Sequence, residues 1–200
     1  RSPSRGLGDV YKRQELVNNR EREYIFADLP DIGYSTDIDT VMASSYQVKK
    51  QLQQIVKIEQ PITNTLLYKR ILRIWNLTRV TTRLQVFIDN LLEDAYKDPL
   101  SGDTIIYWED EEKAKDCDFY RINSKRDILD IPILEVMSAA RYAIEQQISM
   151  PTEDLKRLTS QLLGFSRKGN NLDMVTEQTI QLLIDQGIFS HANGMVSMNN

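Results

Sequence analysis

The chain has 200 residues, of which 41% are hydrophobic, and its 25 lysines and arginines against 29 aspartates and glutamates give a net charge of −4. This length and composition are typical of one or two globular domains, and no run of about 18 apolar residues predicts a membrane-spanning helix. The single cysteine, Cys117, excludes a disulfide framework within the chain and favours a reducing, cytoplasmic location.

Residues 1–14 lack both a starting methionine and an apolar period. Without an apolar central region they are not a signal peptide. They resemble the translated sequencing-adapter read-through found at the ends of some metagenome-derived reading frames; the alternative is a genuine flexible basic tail. We expect a non-native leader and a parent chain that extends further at its N-terminus. Leaving out the leader's four basic residues and one acidic residue gives 21 basic and 28 acidic residues, a net charge of −7.

The first half of the remaining chain predicts an irregular lead-in followed by three helices. Residues 15–44 contain Pro30 and Gly33, and we expect this lead-in to pack weakly or against chain that is absent here. Helical spacing begins near Ser44 or Ser45, either of which suits an N-cap. Apolar side chains then recur at helical spacing in three runs: Val48, Leu52, Ile55 and Val56; Leu67, Ile71, Ile74 and Trp75; Leu84, Phe87, Ile88, Leu91, Leu92 and Ala95. Residues 98–103 predict a turn, and residues 104–108 are β-rich.

The second half repeats this order. Pro132 and Pro151 mark two helix starts, and Gly164 and Gly187 mark two helix ends. Residues 188–196 predict a small hairpin. The apolar faces of the three helices are Val136, Met137, Ala140 and Ile144; Leu155, Leu158, Leu162 and Leu163; Leu172, Val175, Ile180, Leu183 and Ile184.

A constant offset of 88 residues relates the two halves, so that Leu155 falls on Leu67 and Arg167 on Arg79. A repeat of this length indicates two similar small domains in tandem. Three helices followed by a hairpin are typical of the winged helix, a variant of helix-turn-helix. We therefore predict a mainly α fold with small β-hairpins, built as a first winged-helix unit over 45–110, an acidic linker over 111–130 and a second unit over 131–200. The alternative is a single irregular helical domain.

Basic residues are concentrated between Gln60 and Ile88, where the sequence has no acidic residue. A solvated face, or arginines paired with Glu59 or Asp89, would also explain this pattern. Because Arg79 and Arg83 share a face at the start of the third helix, where a recognition helix contacts DNA, we predict a nucleic-acid surface. The second unit repeats the pattern more weakly. The predicted nucleic-acid-binding residues are Lys69, Arg70, Arg73, Arg79, Arg83, Arg167 and Lys168.

Residues 93–118 reverse this balance, with ten acidic residues against three lysines. Such a stretch repels DNA. We expect a solvated, mobile segment between the two units; the alternative is a surface that docks a basic partner or masks the basic face.

No catalytic, metal or cofactor site is predicted. Cys117 lies among carboxylates, which raise a thiol pKa and disfavour a nucleophile, and the only histidine, His191, falls in the predicted second hairpin. Neither can build a zinc site. Consecutive acids at 109–112 are more typical of a solvated run than of a metal site, and the glycines at 164 and 169 fail the context of a phosphate loop because they follow a helix.

Two short signatures resemble a known family. Residues 55–62, IVKIEQPI, with Leu77-Thr78-Arg79 after them, resemble an I-V-x-x-E-x-P-I signature, and residues 162–169, LLGFSRKG, resemble its companion L-L-G-F-x-R-x-G. Together they are similar to an uncharacterised C-terminal domain of very large prokaryotic helicase-like proteins. The resemblance covers about residues 45–197; Gln60 and Asn76 stand where glycine is usual. It implies a parent with a superfamily I ATPase core and an endonuclease-like domain related to very-short-patch repair nucleases.

The combined expectation is a non-catalytic module that binds DNA, mainly through its first unit, for an attached helicase or nuclease. The alternatives are a module that docks the ATPase and endonuclease-like domains of the parent, and a free-standing winged-helix transcription regulator. No membrane and no small-molecule substrate is expected as a partner.

Overall fold

The computed structural model describes residues 19–100 and 104–199, so the predicted leader at 1–14 lies outside the described residues. Within them the fold is mainly helical with small sheets, which confirms the mainly α class with small β elements. The helices are α1 Ile38–Ala43, α2 Ser45–Glu59, α3 Asn64–Ile74, α4 Thr82–Leu91, α5 Glu111–Lys115, α6 Ile133–Glu145, α7 Thr152–Leu162 and α8 Asn170–Asp185. The strands are β1 Glu21–Glu23, β2 Ile62–Thr63, β3 Tyr96–Lys97, β4 Ile106–Trp108, β5 Tyr120–Ile122, β6 Met150–Pro151, β7 Phe189–Ala192 and β8 Met195–Met198.

Three helices and three strands form the first unit. The strands pair antiparallel in the order β2-β4-β3, so that β2, which precedes α3, lies beside the pair that follows α4. Threonine side chains start α3 and α4: Thr63 accepts a hydrogen bond from the Leu66 amide at 3.3 Å, and Thr81 accepts one from the Leu84 amide at 3.2 Å. The apolar runs predicted from the sequence form one buried cluster between the three helices.

The second unit has the same element order and the same sheet order, β6-β8-β7. An 88-residue shift carries β2 onto β6 and α3 onto α7 residue for residue, and carries the first residue of α4 onto that of α8. The predicted stops after α7 and α8 are confirmed at Gly164 and Gly187, whose φ angles are 89° and 70°. Glycine suits both positions because a side chain disfavours this left-handed backbone.

The described part of the lead-in, residues 19–44, packs against both units, whereas weak packing was one of the two expectations. Strand β1 pairs in parallel with β5, with Glu21 opposite Tyr120. Ala27 is buried in the core of the first unit, and the Ile32 amide donates to the Ile74 carbonyl at 2.9 Å. Its polar composition hid these contacts because they are made mainly by the backbone and by isolated side chains.

The acidic region is solvated only in part: residues 109–113, 115 and 116 are exposed, whereas its flanks are packed. Trp108, Phe119 and Tyr120 are buried, and the indole nitrogen of Trp108 donates to the buried Asp98 carboxylate at 3.0 Å. The short helix α5 has no buried residue. The acidic composition therefore did not indicate that this stretch contains a sheet and contributes to a buried apolar cluster.

A buried ionic network joins the two units. Glu135, at the start of α6, is fully buried and accepts hydrogen bonds from the guanidinium groups of Arg121 and Arg126 at 2.5–2.9 Å. Arg121 also reaches the first unit, where it donates to the carbonyl oxygens of Glu59 at 2.7 Å and Pro61 at 2.6 Å. Burial alone would raise the pKa of Glu135, but the charges of and hydrogen bonds from the two arginines outweigh it and lower the pKa to about 2.

Candidate nucleic-acid interface

Helix α4 presents a polar outer face next to the predicted arginines. Its inner face is fixed by Leu84 and Ile88, which are fully buried. The 3.6-residue period therefore turns the opposite face to solvent. We call this the α4 outer face; its exposed members are Thr82, Arg83, Val86 and Asn90. The face carries hydroxyl, guanidinium, methyl and amide groups, which are the groups that contact base edges and phosphates in a groove.

The two predicted arginines of this region are both accessible. Arg79 does not share a helix face with Arg83, contrary to the prediction, because α4 begins only at Thr82. Arg79 lies in the turn between α3 and α4, is exposed, and forms no ion pair with any described residue. Arg83 pairs with Asp39 at 2.8 Å, but the two side chains are 56% and 74% exposed. An ion pair this exposed contributes little stability, so a phosphate can displace the aspartate.

Lys69 and Arg73 point to acids that lie outside the basic stretch in sequence. Lys69 is half exposed and contacts the buried carboxylate of Asp130 at 2.6 Å. Arg73 contacts Asp28 at 3.2 Å, with both side chains exposed, and its guanidinium lies 4.9 Å from the ring centroid of Phe26. Both cations are partly neutralised in place.

Arg70 is an internal ion-pair partner, a placement that is unfavourable for the predicted nucleic-acid contact. Its side chain is 15% exposed, and its Nε lies 2.8 Å from the fully buried Glu59. It also donates to the Tyr24 hydroxyl, which in turn donates to Glu59. Burial and the neighbouring Glu59 charge raise the pKa of Tyr24 to about 12. The sequence analysis offered pairing with Glu59 as an alternative role for arginines of the basic stretch, and Arg70 has this role.

The second unit offers a less favourable surface. Arg167 and Lys168 are exposed and form no ion pair within the described part of the chain. The outer face of α8, however, exposes Asp173, Glu177 and Asp185, where α4 exposes no carboxylate. The adjacent Lys156 is held by three carboxylates, with Asp173 at 2.6 Å. Phosphates are repelled from this face.

The acids that pair with the basic stretch were not identified from the sequence. Each of these acids lies more than 30 residues from its basic partner in sequence, so no local spacing rule connects the two. The pairs are Asp28 with Arg73, Asp39 with Arg83 and Asp130 with Lys69. The effective positive surface of the first unit is therefore smaller than its sequence charge and centres on Arg79 and Arg83.

Cys117 and the acidic side chains were the candidates for chemistry in the sequence. Burial, together with the charges of Glu135 and Asp98, raises the pKa of the Cys117 thiol to about 12, in the direction expected from the sequence. Within residues 19–100 and 104–199, no group of three or more histidine, cysteine or acidic side chains is arranged to hold a metal ion. No described helix is both long and apolar enough to cross a membrane.

A family model described as "Protein of unknown function (DUF3320)" matches residues 43–86. The match covers α2, β2, α3 and the first half of α4, and so includes Arg79 and Arg83. No curated protein and no solved structure shows a significant match to the chain. Residues 43–86 are thus similar to a domain family of unknown function, which confirms that part of the expected resemblance.

Proposed function

We propose that the two units are winged-helix domains and that the chain is a non-catalytic nucleic-acid-binding module. The order helix, strand, helix, helix, hairpin in both units supports the first part of this proposal. Helix α4 then has the position of a recognition helix, and Arg79 with Arg83 supplies the contacts to DNA phosphates. The observation that carries the proposal is the α4 outer face, which exposes an arginine, a threonine and an asparagine but no carboxylate.

The test is salt-dependent binding of duplex DNA by wild type and by Arg79→Ala/Arg83→Ala. Each phosphate contact contributes about 0.9 to the slope of log K against log salt, so the double variant is expected to flatten the slope by about 1.8. Arg157→Ala/Lys125→Ala is the matched control, because it removes two exposed cations outside the first unit. Equal slopes for the two double variants would refute the α4 surface.

The parent protein is part of the same proposal. The family resemblance in residues 55–62 and 162–169 supports a large protein with an ATPase and an endonuclease-like domain. In this setting the first unit binds DNA, and the acidic α8 outer face, with Asp173, Glu177 and Asp185, docks a basic surface of a neighbouring domain. Asp173→Asn/Glu177→Gln would then weaken co-purification with the ATPase or nuclease region and leave duplex binding unchanged. Unchanged co-purification would refute the docking role.

A further inference from the structure

A second basic surface lies on the first unit, in a groove of about 630 Å³ between α2 and the far ends of α4 and β4. We call it the α2 groove. Lys49, Lys50 and Lys57 line the groove on the α2 side, and Leu91, Trp108 and the two exposed acids Asp94 and Glu109 line it on the other. The groove meets the C-terminal end of α4, whereas Arg79 and Arg83 lie at its N-terminal end. Ten residues of helix separate the two surfaces by about 15 Å.

The lysines of the α2 groove are less neutralised than the basic stretch. The only carboxylate of α2 is Glu59, which is fully buried and paired with Arg70. Lys50 and Lys57 form no ion pair with any residue in the described ranges, and Lys49 makes one exposed contact, with Asp94 at 3.3 Å. The two acids that line the groove are already paired, Asp94 with Lys49 and Glu109 with Lys113, so Lys50 and Lys57 are the lysines left to contact a ligand.

An exposed aromatic ring extends this line of lysines. Tyr46 is 73% exposed and lies one helical turn before Lys50, whose Nζ is 4.6 Å from the ring centroid. From Tyr46 to Lys57 the helix rises about 16 Å. A basic track beside an accessible aromatic face is the arrangement that binds single-stranded nucleic acid, because unpaired bases offer their faces for stacking.

The apolar residues of the groove argue against a peptide ligand. Val56, Leu92 and Trp108 are at most 3% exposed and are already buried in the protein. An amphipathic helix would gain little apolar burial from such a floor. What remains accessible is mostly polar, with Gln53 and Gln54 between the lysines, Asp94 and Glu109 opposite them, and only Leu91 and Ala95 as half-buried apolar residues.

We propose that the α2 groove binds single-stranded nucleic acid, with phosphates on Lys50 and Lys57 and a base stacked on Tyr46. The inference rests on the proposed function for its class of ligand but uses different residues. A protein with both surfaces contacts a duplex at one end of α4 and an unpaired strand at the other.

Fluorescence anisotropy with labelled oligo-dT, measured over a range of salt concentrations, tests the groove. Lys50→Gln/Lys57→Gln is expected to reduce the slope of log K against log salt by about 1.4, since each contact to a single strand contributes about 0.7. Lys115→Gln/Lys125→Gln removes the same charge elsewhere and should leave the slope unchanged. Tyr46→Ala should weaken binding about tenfold, whereas Tyr46→Phe keeps the ring and should bind as wild type.

The inference would be overturned if the Lys50→Gln/Lys57→Gln and Lys115→Gln/Lys125→Gln variants gave the same salt slope for oligo-dT. It would also be overturned if the protein bound polyglutamate through the groove lysines but did not bind oligo-dT. The duplex measurements with Arg79→Ala/Arg83→Ala separate the two proposals. Duplex binding that depends on the arginines, with oligo-dT binding indifferent to the groove lysines, leaves the proposed function standing and removes this inference. The opposite pattern supports the α2 groove and removes the α4 surface.

Discussion

Replacement of Glu135 by glutamine tests whether the buried ionic network holds the two units together. The carboxylate is fully buried and accepts three guanidinium hydrogen bonds and the Arg121 amide at 3.0 Å. Glutamine keeps the shape but removes the charge, and leaves Arg121 and Arg126 buried without a counterion. Breaking a buried pair in this way costs about 3–5 kcal/mol. At about 2–4 °C per kcal/mol, the melting temperature should fall by about 6–20 °C.

The pH dependence of the unfolding free energy is a second test of Glu135. The folded pKa of Glu135 is lowered from 4.5 to about 2, a shift equivalent to about 3 kcal/mol. Because the folded pKa lies below the unfolded one, this stabilisation is fully present above pH 4.5 and is lost as the pH falls toward 2. The difference in unfolding free energy between wild type and Glu135→Gln should therefore be constant from pH 5 to 8 and narrow below pH 4.5.

Urea denaturation followed by circular dichroism measures both effects. Lys115→Gln is the control, since its pair with Glu111 is exposed and should add no resolvable stability. The reasoning would be refuted by a Glu135→Gln protein that unfolds at the same urea concentration as this control. It would also be refuted by a difference between wild type and variant that does not narrow below pH 4.5.

Three further outcomes are expected. Cys117 in the native protein should react with iodoacetamide at pH 7.5 at least a hundredfold more slowly than in urea, because burial raises its pKa to about 12; equal rates would contradict this. Asp39→Asn frees Arg83 and should tighten duplex binding in anisotropy severalfold more than Asp116→Asn, an exposed control; no difference would show that the pair does not compete with phosphate. Gly187→Ala places a side chain at a φ of 70° and should lower the unfolding free energy by about 1 kcal/mol in urea denaturation, whereas an unchanged midpoint would argue against the left-handed turn.

The helices of both units could be predicted because their signals are local. Thr63 and Thr81 are caps that act within three residues, and Gly164 and Gly187 end helices through their own backbone angles. The apolar period then identifies the buried face of each helix. The 88-residue offset between the two halves supported these helix assignments, because the same pattern rarely occurs twice by chance.

The contacts between distant segments could not be predicted in the same way. Pairing of Glu21 with Tyr120, or of Lys69 with Asp130, leaves no periodic trace in a single sequence. Charge counting was misleading for the same reason: Arg70 looked like part of a free basic surface, but its partner Glu59 belongs to the preceding helix and is buried. The α2 groove could not be predicted from charge counting because its lysines precede the acid-free stretch between Gln60 and Ile88.

The parallel pairing of β1 with β5 has a consequence for how the chain unfolds. Strand β1 precedes the first unit and β5 precedes the second, so their pairing closes a loop of about 100 residues that contains the whole first unit. Closing a loop this long carries an entropic cost, which is smaller when the folded first unit already holds the two ends of the loop close together. We therefore expect the two units to unfold together, although the sequence repeats them as separate elements.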